Sequence, residues 1–168
     1  MKKLFTLLAA LMLPLTAAAH GPTPLKSDQT VTIKAPAAKV WALVGNFGAM
    51  EKWHPAVKST KAEGSQRTLT LQNGGTILEK LQHKKDDAME LKYEIVSGVL
   101  PVSGYSSRIT VKDLGNGESE VRWFGRYYRK YVLNPPIPAG EDDEPAQTTI
   151  DGIYKDGLAN LKKVAEGK

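Results

Sequence analysis

Met89-Glu90-Leu91-Lys92-Tyr93-Glu94-Ile95 places apolar and charged residues at strictly alternating positions, the pattern of a strand with one face buried and one face wet. The same period of two continues on both sides. Upstream, Asp86-Asp87 makes a turn back to Thr76–Lys84, and the tight-turn pair Asn73-Gly74 leads back to Arg67–Gln72, preceded by a weaker run, Val57–Ala62. Downstream, Leu100-Pro101 interrupts, Tyr105–Asp113 resumes, and Gly115-Asn116-Gly117 turns the chain into Glu120–Arg129. Strands joined by such short turns must run antiparallel.

Helical spacing occurs only at the two ends of this run. Before it, Thr30–Lys34 alternates as a first strand, and Pro36 opens a helix with Val40, Leu43, Val44 and Phe47 on one face. Gly45 and Gly48 end that helix, with a short turn or second helix through Met50. After the strands, Asn134–Gly140 is proline-rich and irregular. Glu141–Glu144 and Pro145 then start a long helix carrying Ile150, Ile153, Tyr154, Leu158, Leu161 and Val164 on one side. The order predicts an α+β domain: a curved antiparallel sheet of about six or seven strands wrapped on a long C-terminal helix, with one or two short helices after the first strand. Space between such a sheet and its helix is a natural ligand cavity.

The N-terminus reads as an export signal. Lys2 and Lys3 precede a mostly apolar run, Leu4–Thr16, and Ala17-Ala18-Ala19 supplies a cleavage site. The run contains Pro14 and is too short to span a bilayer comfortably. The expected organisation is a signal peptide over 1–19 cut after Ala19, an extended lead-in over 20–28 and one domain over 29–168, with no membrane span after cleavage and a periplasmic location. Removing the signal takes two lysines and no acids from a chain of formal net charge +5. So mild a basic excess does not point to nucleic acid. The chain has no cysteine, which excludes disulfides, thiol chemistry and Cys-ligated zinc.

Val40-Trp41-Ala42-Leu43-Val44-Gly45-Asn46-Phe47 followed by Trp53-His54-Pro55 resembles the opening of the START, polyketide-cyclase and birch-pollen-allergen superfamily. Leu78-Glu79-Lys80-Leu81, Tyr93-Glu94-Ile95, Leu100-Pro101-Val102 and Tyr105–Val111 continue the resemblance in the same order. The resemblance implies a helix-grip fold. His20–Pro24, Arg67–Leu71 before Asn73–Thr76, and Trp123–Arg129 are similar to an exported branch of that superfamily, the periplasmic proteins associated with methanol dehydrogenase in methylotrophic bacteria. That branch implies an accessory role, in electron transfer from methanol dehydrogenase to its cytochrome c or in the enzyme's maturation, with no settled catalytic residues.

Phase selects the candidate site residues. Ile77, Glu79, Leu81 and His83 share one face of their strand; Leu78, Lys80, Gln82 and Lys84 share the more polar one. Glu79 is therefore expected to point inward, either to a polar ligand, as a catalytic base, or to an Arg or Tyr as a structural pair. The expected cavity wall is Trp53, His54, Glu79, Leu81, Tyr93, Tyr105, Trp123, Tyr127 and Tyr154. His54, between Trp53 and Pro55, reads as a packed corner or a proton-transfer group. His20, as a new N-terminus, offers a two-nitrogen copper clamp that His54 or His83 would complete. No methionine cluster supports it, so no metal or cofactor is expected. Arg122, Phe124, Arg126, Tyr128 and Arg129 form the expected partner surface, because Arg and aromatic residues are favoured at interfaces.

There is no phosphate-binding glycine loop, no His-x-x-x-His pair and no nucleophile elbow. Binding is therefore expected over catalysis. The leading expectation is an accessory protein for methanol dehydrogenase or its cytochrome c. The alternatives are a carrier of a lipid or small hydrophobic ligand and a cyclase- or hydrolase-like enzyme using Glu79.

Overall fold

The computed structural model describes residues 21–168, so the expected signal peptide and His20 lie outside the described residues. Seven strands form one antiparallel sheet: β1 (Leu25–Ile33), β2 (Val57–Glu63), β3 (Gln66–Leu71), β4 (Thr76–Lys85), β5 (Glu90–Gly98), β6 (Val102–Gly115) and β7 (Glu118–Arg129). Their spatial order is β1-β7-β6-β5-β4-β3-β2. Consecutive strands from β2 to β7 are neighbours, and only β1 crosses over, to pair with β7. Helix α1 (Ala37–Val44) and a 3₁₀ turn (Met50–Lys52) make that crossing, and helix α2 (Asp143–Glu166) packs against the sheet. This is the helix-grip architecture expected from the order of periodicities.

β1 begins at Leu25 rather than at Thr30, so the second half of the expected lead-in is strand, paired with β7 from Leu25↔Tyr127 onward. Its alternation is masked because an inward position holds Ser27, which is buried and bonds its hydroxyl to that of Tyr127 at 2.7 Å. Register shifts between Leu78 and Glu79, between Leu81 and His83 on β4, and between Ser103 and Ser106 on β6 add local twist. α2 buries Ala146, Ile150, Tyr154, Gly157, Leu158, Leu161 and Ala165. Val164, expected on that face, is exposed, and Ala165 takes the inward place. Gly157 lets the helix approach closely: a Cβ there would lie 2.6 Å from the His54 ring.

Candidate functional site

The cavity between sheet and α2 is about 90 Å³. Of the expected wall, His54, Glu79, Tyr93, Tyr105 and Trp123 line it, together with Ile150 and Ile153 of α2. Four expected lining residues do not reach it. Trp53, Tyr127 and Tyr154 are buried in the packing outside its wall, and Leu81 borders a separate surface cleft with Trp41 and Lys84.

One end of the cavity is electrostatic. Arg67 of β3 sits directly opposite Glu79 of β4, and both are buried. Arg67 Nε donates to Glu79 Oε2 at 2.5 Å, and its Nη1 donates to the Phe47 carbonyl at 2.9 Å. The guanidinium also lies 4.1 Å from the Phe47 ring centroid and 5.2 Å from that of Tyr93. Burial pushes the Glu79 carboxyl above its ordinary value, while the charge and hydrogen bond of Arg67 pull it back. Among the described residues no donor reaches the second oxygen, Glu79 Oε1.

The other end is a chain of hydroxyls with a fixed direction. Ser107 Oγ donates to the Phe124 carbonyl at 3.0 Å, so it accepts from Trp123 Nε1 at 2.9 Å and from the Tyr154 hydroxyl at 2.8 Å. Tyr154 must then accept from Tyr105, at 2.6 Å. Tyr93 accepts from Trp123 Nε1 at 3.1 Å and lies 3.4 Å from the Tyr105 hydroxyl. Because Tyr105 gives its proton to Tyr154, the Tyr93 proton goes to the Tyr105 oxygen, the longest bond of the chain. Burial raises Tyr93, Tyr105 and Tyr154 well above the usual phenol range, which keeps all three protonated. Tyr154 stacks on Trp123 with centroids 4.2 Å apart.

His54 is committed to structure. Its Nε2 hydrogen goes to the Ile153 carbonyl at 3.1 Å and its Nδ1 accepts from the Ala56 amide at 3.2 Å, which fixes the tautomer. Desolvation lowers its pKa to about 4, so the ring is neutral near pH 7 and both nitrogens are occupied. His83, the other expected copper ligand, bonds Glu90 at 2.8 Å. Among the described residues no group of three or more His, Cys, Asp or Glu converges on one point.

The expected partner surface is corrected at one position. Arg122, Arg126 and Tyr128 are exposed and Phe124 half-buried, but Arg129 is buried. It shares the inward phase of Val121, Trp123 and Tyr127, and its Nε donates to the Tyr131 carbonyl at 2.7 Å. Its Nη1 lies 3.4 Å from Asp143 at the start of α2, so it ties the loop after β7 to the helix.

Arg67 and Ser107 are the site residues that residue chemistry alone passed over. Both were legible by phase: Arg67 alternates with inward Leu69, and Ser107 with inward Tyr105 and Ile109.

Residues 24–166 match the family described as polyketide cyclase/dehydrase and lipid transport. The chain belongs to this family. A further relative is the abscisic acid receptor PYL6 of Arabidopsis thaliana, 27% identical over 156 residues covering 87% of this chain and 71% of the receptor. Among solved structures, protein XoxI from Bacillus cereus is 30% identical with a TM-score of 0.74, covering 83% of this chain and 94% of that one. An uncharacterised Bacillus thuringiensis protein, also 30% identical, superimposes with a TM-score of 0.76 over 86% of this chain and the whole of its own.

Proposed function

We propose that the protein is a ligand-binding module whose cavity takes a small, mostly apolar molecule carrying one hydrogen-bond donor. Glu79 Oε1 receives that donor, and no covalent bond is made or broken. The observation that carries the reading is the Glu79 carboxylate in the mostly apolar lining of the cavity, with Arg67 bonded to Oε2 and not to Oε1. A ligand donor that reaches this oxygen adds a hydrogen bond to a charged group, worth about 1.5–3 kcal/mol. The cavity volume of about 90 Å³ equals roughly three waters' share of liquid, so molecules of about five heavy atoms are suitable probes.

NMR titration with n-butanol and with butanone tests the reading, since the two match in size but only the alcohol donates. The alcohol is expected to bind more tightly in the wild type, and the difference is expected to vanish in Glu79→Gln. Equal binding of both probes by the wild type would sink the proposal. Native mass spectrometry of freshly purified protein is expected to show a retained small molecule. A catalytic Glu79 would instead appear as turnover that Glu79→Gln abolishes with folding intact.

A second reading, an exported periplasmic accessory of methanol dehydrogenase or its cytochrome c, is supported by the signal-like residues 1–19 and the outward row Arg122, Phe124, Arg126 and Tyr128. Co-purification with either protein from periplasmic extract is its expected result. Unchanged methanol-dependent electron transfer in a deletion strain would count against it.

A further inference from the structure

The convex face of the sheet, turned away from the cavity, carries a groove of about 450 Å³ lined by Lys92, Ser106, Arg108, Phe124 and Arg126. Strand register builds it. Lys92 of β5, Arg108 of β6, Phe124 of β7 and Asp28 of β1 form one cross-strand row; Glu94, Ser106, Arg126 and Lys26 form the next. Phe124 is thus an apolar centre bracketed by cations, with the Arg122 and Arg126 guanidiniums 5.6 and 5.7 Å from its ring centroid.

The charges on this face are not equivalent. Arg122 is closed off by Asp28, with Nε to Oδ1 at 2.7 Å and Nη2 to Oδ2 at 2.5 Å. Arg108 has Glu90 at 3.5 Å. Among the described residues Lys26, Lys92 and Arg126 have no carboxylate within ion-pair distance. The unmatched cations therefore lie on three different strands around Phe124, not in one cluster.

We infer that this groove docks an acidic segment of another protein, one with an apolar side chain that seats on Phe124 between its carboxylates. The spread of the cations over three strands favours an extended ligand over a single small anion. Lys92 and Phe124 are two strands apart, about 10 Å at the usual strand separation, so an extended ligand engages both sides better than one carboxylate or phosphate. The interspersed Glu90, Glu94 and Glu120 disfavour a uniform polyanion such as nucleic acid, which would meet them as well as the cations. A discrete acidic segment with an apolar middle meets the cations, covers the ring and avoids the acids. The inference rests on the convex face alone and stands whether or not the cavity reading holds.

The test is fluorescence anisotropy with a fluorescein-labelled peptide of sequence EEDLFDEE, at low and at physiological ionic strength. The wild-type protein is expected to bind it, more weakly as salt rises. Lys92→Glu with Arg126→Glu is expected to weaken binding by about tenfold or more, and Phe124→Ala by about fivefold. Lys39→Glu with Lys52→Glu makes the same change in net charge at exposed positions of α1 and the 3₁₀ turn, and is expected to stay within about twofold. The milder pair Lys92→Gln with Arg126→Gln provides the same readout without charge reversal. No binding by the wild type, an equal loss in the Lys39/Lys52 control, or equal competition by a single-stranded oligonucleotide of matched charge would each overturn the inference.

Discussion

Acidification from about pH 7 to about pH 4 sets His54 against the fold, and the cost follows from its surroundings. The ring is 2% exposed. It lies edge-on to Trp53 and Trp123, with centroids 5.7 and 5.9 Å away, and beneath Gly157. Desolvation lowers its pKa to about 4 from an ordinary 6.5. In the unfolded chain the ring takes a proton as pH falls through 6.5, whereas in the folded protein it refuses one until about 4. The unfolded state therefore binds more protons across that window, and folding stability drops as pH falls through it. At 1.36 kcal/mol per unit, the gap is worth about 3 kcal/mol, a large part of the ~5–15 kcal/mol by which a domain is usually stable. Urea unfolding followed by tryptophan fluorescence, repeated between neutral and acid pH on the wild type and on His54→Gln, measures it. The variant is expected to be less stable at neutral pH because it loses the ring's contacts. The difference between the two proteins is expected to shrink by about 3 kcal/mol on acidification. Asp28 and Glu90, whose carboxyls are held low chiefly by hydrogen bonds from Arg122 and His83 respectively, titrate in both proteins and cancel in the comparison. Parallel stability curves, or an NMR titration that places the His54 imidazole near 6.5, would refute the reasoning.

Two other predictions concern the packing around the cavity. In Gly125→Ala the new Cβ would fall 2.2 Å from the Tyr154 hydroxyl; overpacking of this kind costs about 1–3 kcal/mol. Adding Tyr154→Phe is expected to return part of that loss, and a strictly additive pair in urea melts would contradict the placement. Arg67→Leu leaves the Glu79 carboxylate buried without its partner and is expected to cost about 3–5 kcal/mol. Arg67→Met combined with Glu79→Leu is expected to recover most of it, and equal losses in the single and double variants would show that the two are not coupled.

Where each strand runs was legible from alternation, and the failures have identifiable causes. β5 was plain because its inward positions are Leu91, Tyr93 and Ile95 and its outward ones Lys92 and Glu94. β1 was shortened because its inward Ser27 looks polar, and only its pairing with Tyr127, distant in sequence, makes that acceptable. Arg129 was placed outside on chemistry, although its phase put it with Val121 and Trp123. Glu79 is legible as inward by its phase, while Arg67 opposite it was passed over for the same reason: an arginine is discounted as core until a carboxylate is known to wait for it. Leu81 keeps the phase of Glu79 but lies farther along β4, where it borders the cleft beside Trp41 instead of the cavity. Tyr154 and Tyr127 were correctly inward, but whether an inward ring borders a cavity or fills it depends on stacking and depth, which periodicity does not encode.

That last distinction bears on what the cavity can hold. A sheet curved around a helix encloses space by construction, and in this chain aromatic rings occupy much of it. Trp123 and Tyr154 stack face to face, Tyr105 and Tyr127 stack at 6.0 Å, and Tyr93 leans on Tyr105 at 6.2 Å. What remains is about 90 Å³, well below the ~300 Å³ at which pockets for drug-sized molecules begin. On the proposed reading, these side chains set the size of the ligand. To admit a larger molecule the tyrosines must turn aside, which breaks the ordered chain from Tyr105 through Tyr154 to Ser107 at about 1 kcal/mol per hydrogen bond and unstacks Trp123. The hydroxyls are raised far above the phenol range, so they cannot be displaced by ionisation, only by a ligand that replaces their bonds. A ligand that leaves the rings in place meets Glu79 Oε1 first, and that atom then selects it.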